Sequence, residues 1–423
     1  MEQISTESTT IGRISLEELT EAYYTCRKNK RNTASAIKFE MNLASNLVDL
    51  WHDINQGTYH PGRSIAFVVT KPVCREVFAA QFRDRIVHHL IINKLEALME
   101  QYFIDDSYSC RRGKGAFYGQ KRVQEMIREC SHGYTQDCWV MKLDIKSFFM
   151  SIDKKLLYQC MERFVETYYH AADKEQLLWL IRVTIFHRPE LDCERHSPDW
   201  FWDLLPKEKS LFGTDGSHGL PIGNHTSQMF AMLFLTELDR LVEKRWKGEF
   251  YGRYVDDMAL VACSPTALKH LRKKIGSWLQ AHKLRLSPKK VYLQYLDKGI
   301  LFVGGCIKPG RIYVQNRVLC NFYNRMMYFN EKARHVFVFP GQNKQEFEMS
   351  MNSYFGLLGA FDEYRQAHVM AGMMGREWYR YFEQIYYGGK VKCHLRFNYQ
   401  DYHIQRKRIN HGIQYRKQYA LTA

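Results

Sequence analysis

The sequence predicts an α+β fold from three observations. Apolar residues recur at helical spacing over long stretches near both ends of the chain, as in Phe39, Leu43, Leu47, Leu50, Trp51 and Ile54. Two apolar runs, Phe250–Val255 and Met258–Ala262, flank the adjacent acids Asp256 and Asp257 and read as a hairpin with carboxylates at its turn. A third compact run, Trp139 to Leu143, reads as a strand that delivers Asp144 at its end.

The remaining elements follow in order. Residues 14–55 read as helical, and Gly57 with Pro61-Gly62 ends the pattern. Ile65 to Val69 reads as a strand, and Arg85 to Phe103 as a helix with a mixed polar face. A helical stretch starts near Lys154, and residues 186–218, rich in Pro, Asp and Lys, form a polar excursion before a helix at 224–244. A basic helix at 265–283 precedes strands near 291–295 and 300–307, and the final segment carries helical and basic patterns. With no internal repeat or low-complexity linker, the chain reads as one multi-lobed enzyme.

At 423 residues, 45% hydrophobic and 14% aromatic, the chain can bury a sizeable core and build two or three subdomains. Its 61 Lys and Arg against 45 Asp and Glu leave a formal charge of +16, which points to a polyanionic partner, nucleic acid before a membrane surface. No run approaches the roughly 18 apolar residues of a spanning helix, and the first residues lack a signal-peptide core, so no membrane is expected and cytoplasmic residence follows by default. The eleven cysteines include no C-x-x-C pair, against a disulfide framework or zinc ribbon. His187, Cys193, His196 and His218 share one polar stretch, but their irregular spacing reads as loop residues.

Two adjacent aspartates in an apolar hairpin repel each other and resist desolvation unless something neutralises them. An isolated pair is commonly only a solvated turn. Here Asp144 ends another apolar strand, and if the strands pair, three carboxylates converge and can hold hard cations through oxygen. Two Mg²⁺ ions, with Mn²⁺ as an admissible substitute, then suit phosphoryl transfer, with Asp144, Asp256 and Asp257 as ligands and Ile145 counted with them at the site.

Tyr254-Val255-Asp256-Asp257, with Leu143-Asp144-Ile145-Lys146-Ser147-Phe148-Phe149 more than a hundred residues upstream, resembles in type and order the palm of reverse transcriptases. The resemblance implies a right-hand polymerase: N-terminal helices and fingers over 1–135, a palm with an antiparallel sheet over 136–308 including a fingers-like excursion at 186–222, a helical thumb over 309–390, and a basic tail over 391–423. It also implies dNTPs, template RNA and a primer as ligands. Lys71-Pro72-Val73-Cys74-Arg75-Glu76 is similar to the fingers strand that meets the incoming triphosphate, which assigns Arg75 and Lys71 to phosphate oxygens. Asp106 to Gly115 looks like the next block, placing Arg111, Arg112 and Lys114 near the template; a surface basic turn accounts for that segment equally well. Phe149 occupies the position of the family's ring beneath the nucleotide sugar, which leaves no room for a 2′-hydroxyl and implies dNTP over rNTP. As a plain core phenylalanine it would explain the apolar character but not the match. Lys289 and Lys290 resemble the motif in which a lysine protonates departing pyrophosphate; Lys289 is taken for that role, although the motif alone does not separate the two. Phe302-Val303-Gly304-Gly305 is similar to the primer-grip turn, where Gly304 and Gly305 let backbone approach the primer.

The block Gly219-Leu220-Pro221-Ile222-Gly223-Asn224-His225-Thr226-Ser227-Gln228 narrows the resemblance. Most reverse transcriptases carry Gln at the place of Ile222 and Pro at that of Gln228. The form LPIGNxTSQ, preceded by Lys207-Glu208-Lys209-Ser210-Leu211, looks like the reverse transcriptases of diversity-generating retroelements, with His225 in place of an expected leucine. Ile222 can neither donate nor accept a hydrogen bond, so nucleotide positioning should be looser and fidelity lower. The resemblance further implies error-prone copying of a template-repeat RNA at adenines for mutagenic retrohoming. It also implies a partner, the small basic accessory variability determinant protein. A retron or group II intron reverse transcriptase would share the carboxylates, and a non-catalytic RNA-binding scaffold would have no use for them.

Residues 389–423 interleave Lys390, Lys392, Arg396, Arg406, Lys407, Arg408, Arg416 and Lys417 with Tyr399, Tyr402, Tyr415 and Tyr419. Such a mixture suits phosphate contact and stacking on unpaired bases, so Arg406, Lys407 and Arg408 are assigned to template or primer. Arg27 to Arg31 forms a second basic cluster. No ribonuclease H or endonuclease motif is apparent.

Overall fold

The computed structural model describes residues 13–28, 33–70, 73–245, 250–334, 341–387 and 390–395. The chain divides into two compact units, Met1–Val303 and Gly304–Ala423. The first holds both helices and antiparallel strands, the expected α+β class.

The N-terminal helical stretch is three helices, α1 (Leu16–Arg27), α2 (Ala34–Glu40) and α3 (Leu43–Asn55). Ser15 starts α1 through a capping box: its hydroxyl accepts from the Glu18 amide at 3.2 Å and the Glu18 carboxylate accepts from the Ser15 amide at 3.0 Å. Asn46 donates to the Phe39 carbonyl at 2.8 Å and bridges the α2–α3 turn, the break that continuous apolar periodicity hides. Strands β1 (Ser64–Val69) and β2 (Arg75–Ala79) pair antiparallel, and α4 (Phe82–Tyr102) follows. The next helix, α5 (Ala116–Cys130), leads to β3 (Trp139–Asp144), α6 (Phe148–Ser151), α7 (Lys154–Tyr168) and α8 (Lys174–Phe186).

The polar excursion is not free of structure. It contains β4 (Cys193–Arg195), which pairs parallel with β1, and the short helix α9 (Asp199–Asp203). Leu211, fully buried, packs with Ala66, Phe78 and Met150 and seats the end of the excursion on the β1–β2 sheet. Beyond it run α10 (His225–Arg245), β5 (Phe250–Tyr254), β6 (Asp257–Ala262), α11 (Pro265–Ala281), β7 (Tyr292–Tyr295) and β8 (Ile300–Phe302).

The central sheet has the order β5-β6-β3-β7 and is antiparallel throughout. Met258 to Ala262 are all buried, because α5 and α11 pack on β6 and its apolar run is covered on both faces. The helix α10 buries every residue from Met229 to Leu235 and packs against α4 and α7, so the core lies behind the sheet that carries the acids.

The second unit opens with a hairpin, β9 (Gly305–Lys308) and β10 (Arg311–Val314), followed by α12 (Asn316–Arg334), α13 (Gly341–Ala360) and α14 (Tyr364–Gly372). The strand expected over 300–307 is therefore interrupted: Val303 and Gly304 take positive φ, 44° and 87°, and turn the chain. The stretch expected to be helical to residue 390 instead ends in an antiparallel hairpin, β11 (Phe382–Tyr387) with β12 (Lys390–Leu395). Its two-residue alternation is visible in buried Val391, exposed Lys392 and buried Cys393. Asn352 exchanges two 2.8 Å hydrogen bonds with the Cys393 backbone and fixes the hairpin on α13, while Phe347 stacks on Trp378 at 4.0 Å in the core.

Candidate active site

The hairpin β5–β6 and strand β3 bring the acids together. Pairing of β3 with β6 sets Asp144 opposite Asp257, and Asp256 precedes β6 in the turn. The turn is strained at Val255, a β-branched residue at φ 55°. Two contacts hold it: the Ser109 hydroxyl accepts from the Val255 amide at 3.2 Å, and Arg253 donates to the Val255 carbonyl at 2.9 Å. Arg253 is itself fully buried and paired with the fully buried Asp239 of α10, which also accepts from the Tyr251 hydroxyl at 2.7 Å. The acidic turn is thus bolted to the central helix.

Burial, then Asp257, then Asp144 push the Asp256 carboxyl up to about 7. Burial also raises Asp257, against the opposing pull of Lys142. Lys142 lies two residues before Asp144 on β3, hence on the same face, and donates to Asp257 Oδ2 at 3.2 Å. Lys290 donates to Asp144 Oδ2 at 2.7 Å; burial opposes its charge, but the Asp144 carboxylate more than offsets this and holds the ammonium above its ordinary value. Pairing of Ile145 with Leu286, together with a 2.7 Å bond from the Ser287 amide to the Asp144 carbonyl, places the turn at 288–290 so that Lys290 reaches the acid. Of the two lysines left open by the motif, Lys290 and not Lys289 lines the cavity beside the acids.

That cavity, about 570 Å³, is lined by Arg75, Ile145, Phe149, Ile222, Gln228, Asp256 and Asp257 among the expected residues, and also by Lys290 and Lys209. Ile222 reaches it because its carbonyl accepts from the Phe78 amide of β2 at 2.8 Å. Gly223 is required beside it: its φ is 120°, and a Cβ there would stand 2.8 Å from the Phe78 carbonyl oxygen. Phe149 sits on α6 just past Ser147, which takes φ 46° and turns the chain from Asp144 into the cavity wall.

Other expected residues lie elsewhere. Arg111, assigned to template, is nearly buried and spent on Glu100 and on the carbonyls of Ile104 and Ser107. Lys114 turns back to Asp105 at 2.6 Å, whereas Arg112 is exposed with Glu96 3.4 Å away. Gly304 and Gly305 open the second unit. Lys71 and Arg406, Lys407 and Arg408 lie outside the described residues. Sequence reasoning missed Lys142, whose two-residue spacing from Asp144 was a usable signal, and Lys209, Arg253 and Asp239, which only long-range packing brings into play.

Among the described residues no three acids, histidines or cysteines form a ready-made metal cage, and lysines stand against Asp144 and Asp257. The donor set nonetheless fits a hard divalent cation. The side-chain donors are all carboxylate oxygens, burial and then its acidic neighbours drive Asp256 toward protonation, and buried Asp257 Oδ1 accepts no hydrogen bond although the Lys142 ammonium stands 3.1 Å away.

The chain is 23% identical over 297 residues to Protein YkfC of Escherichia coli K12, covering 62% of this chain and 71% of that one. Among solved structures it is similar to apo telomerase of Candida tropicalis truncated from its C-terminal domain (TM-score 0.44, 12% identity, 60% of this chain and 55% of that one). It is also similar to Candida albicans telomerase in complex with a TWJ fragment of telomeric RNA (TM-score 0.43, 11% identity, 73% of this chain). The chain spans 55% of the length of both telomerase chains. No helix among the described residues is long and apolar enough to cross a membrane. The profile of the family described as reverse transcriptase (RNA-dependent DNA polymerase) matches residues 74–307, more than half of the sequence, and the chain belongs to that family.

Proposed function

We propose that the protein copies RNA into DNA, joining a primer 3′-oxygen to the α-phosphorus of a dNTP and releasing pyrophosphate. The observation that carries this reading is the pairing of Asp144 with Asp257 across β3 and β6 beside Asp256, with Asp256 and Asp257 lining a cavity together with Arg75 and Lys290. Divalent ions held by the three carboxylates and the Ile145 carbonyl, Mg²⁺ or Mn²⁺, would lower the cost of attack and of the developing negative charge. The chain's own residues do the rest. Arg75 grips phosphate oxygens, Phe149 packs under the sugar and excludes a 2′-hydroxyl, and Lys290 Nζ, kept protonated, gives a proton to departing pyrophosphate. In this reading residues 1–135 are N-terminal helices and fingers, 136–308 palm, 309–390 thumb and 391–423 a nucleic-acid-binding tail. Arg112, Gln228, Gly304, Gly305 and the triplet Arg406, Lys407 and Arg408 are assigned to template and primer.

We further propose that it serves a diversity-generating retroelement, copying a template-repeat RNA with errors at adenine alongside a basic accessory protein. Ile222 supports this: it presents hydrocarbon to the cavity where most of the family presents an amide, within the block LPIGNxTSQ. Purified protein given Mg²⁺, a primed RNA template and dNTPs should extend the primer, and sequenced products should carry errors concentrated opposite template adenine. Extension with errors spread evenly over the four template bases would point to a retron or group II type instead. Absence of extension with the accessory protein and template RNA present would favour a scaffold.

A further inference from the structure

We propose that Lys209 is a second phosphate-binding arm, supplied by the polar excursion rather than by the fingers strand, and that Glu76 is the residue that positions it. The inference rests on the polymerase reading above and adds a triphosphate contact to it.

Arg75 and Lys209 line the same cavity although they lie on separate segments. Along β2 the alternation leaves Arg75 exposed and turns the next residue, Glu76, fully inward. A buried carboxylate is costly unless hydrogen-bonded, and Glu76 spends both oxygens on the excursion. The Ser210 hydroxyl donates to Oε2 at 2.7 Å, and the Leu211 amide donates to Oε1. Those two residues directly follow Lys209. Phe78 of β2 packs on Phe212 with ring centroids 5.6 Å apart, a second tie between the same segments. Each cation therefore stands one residue before an anchored group, and a single carboxylate fixes their spacing.

Charge decides what the pair can hold. Glu208 is already matched by Lys146 at 2.6 Å. Among the described residues neither Arg75 nor Lys209 forms a salt bridge, and both side chains are exposed. Two cations without an ion-pair partner on the wall of one cavity suit a ligand that carries several negative charges in a short chain. A nucleotide triphosphate has that form.

Three variants test this: Lys209→Gln, Lys209→Arg, and Lys207→Gln as a control for bulk charge on the same turn. Lys209→Gln should raise KM for dNTP about tenfold, leave kcat within about threefold, and leave primer–template affinity unchanged. Lys209→Arg should restore most of the loss, and Lys207→Gln should match wild type. In Glu76→Gln, removal of the Lys209 charge should raise KM by less than it does in wild type, a coupling that a purely structural role for Glu76 would not produce. Calorimetric binding of inorganic tripolyphosphate should weaken by a similar factor in Lys209→Gln. Unchanged KM and unchanged tripolyphosphate affinity would overturn the assignment, as would a loss confined to primer–template binding, which would give Lys209 to the template strand. A wild-type protein that binds tripolyphosphate through Lys209 yet never extends a primer would strike the polymerase reading and leave the phosphate site standing.

Discussion

Asp144 stands directly opposite Asp257 across the antiparallel pair β3–β6, and each of the two carboxylates is met by its own lysine, Lys290 for the first and Lys142 for the second. Two acids facing each other would otherwise repel, so the lysines neutralise the pair when no cation is bound. Asp256, which pairs with neither lysine at ion-pair distance among the described residues, is the acid whose carboxyl is pushed up to about 7.

Lys290 and Lys289 should separate cleanly in kinetics. Lys290→Met is expected to lower kcat by about 10²-fold with a small change in KM for dNTP, the scale of losing a general acid. Lys289→Met should stay within a few-fold of wild type. Steady-state extension assays check this, and a larger loss from Lys289 would return the role to it.

Ile222→Gln should raise fidelity. An amide in the cavity wall can hold the nascent pair through hydrogen bonds worth about 1 kcal/mol, several-fold in discrimination. Deep sequencing of products on an adenine-containing RNA template reads the outcome. An error spectrum identical to wild type would remove Ile222 as the cause of low fidelity.

The buried ion pair Arg253–Asp239 should be costly to break from one side. Arg253→Met leaves Asp239 charged in the core and is expected to destabilise the fold by about 3–5 kcal/mol. Adding Asp239→Asn removes the stranded charge and should recover part of that loss. Chemical denaturation of the single and double variants measures it, and a double variant less stable than Arg253→Met would contradict the account.

His88, on the buried face of α4, should make the fold acid-sensitive. Burial first, then the neighbouring histidines, lower its pKa to about 3 from the ordinary 6.5. A histidine held neutral in the folded state takes up a proton more readily when unfolded. Stability is thus full above pH about 6.5 and declines as pH falls toward 3. Between pH 7 and 5 the wild type should lose about 1–2 kcal/mol more than His88→Gln. Parallel denaturation curves at the two pH values check the difference, and equal losses would refute it.

How much of this was legible in sequence depends on distance along the chain. The three acids and their strands were legible because apolar runs and turn position fix them locally. The lysine facing Asp144 was not: a short turn at 288–290 decides which of two neighbours points inward, and that turn is set by pairing with residues 144–146. Arg111 looked like a template contact because its cluster is basic, whereas the carbonyls that capture it are invisible to composition. Lys209 was hidden for the same reason, since its anchor is Glu76 on a distant strand. The terminal hairpin was missed although its alternation of Val391, Lys392 and Cys393 was present to be read.

The most direct test is single-nucleotide incorporation on a primed RNA template with Mg²⁺, comparing wild type with Asp256→Asn, a change that keeps shape and removes charge. The account predicts incorporation by wild type and a loss of at least about 10³-fold in the variant, with primer–template binding retained. Incorporation by Asp256→Asn at the wild-type rate would contradict it.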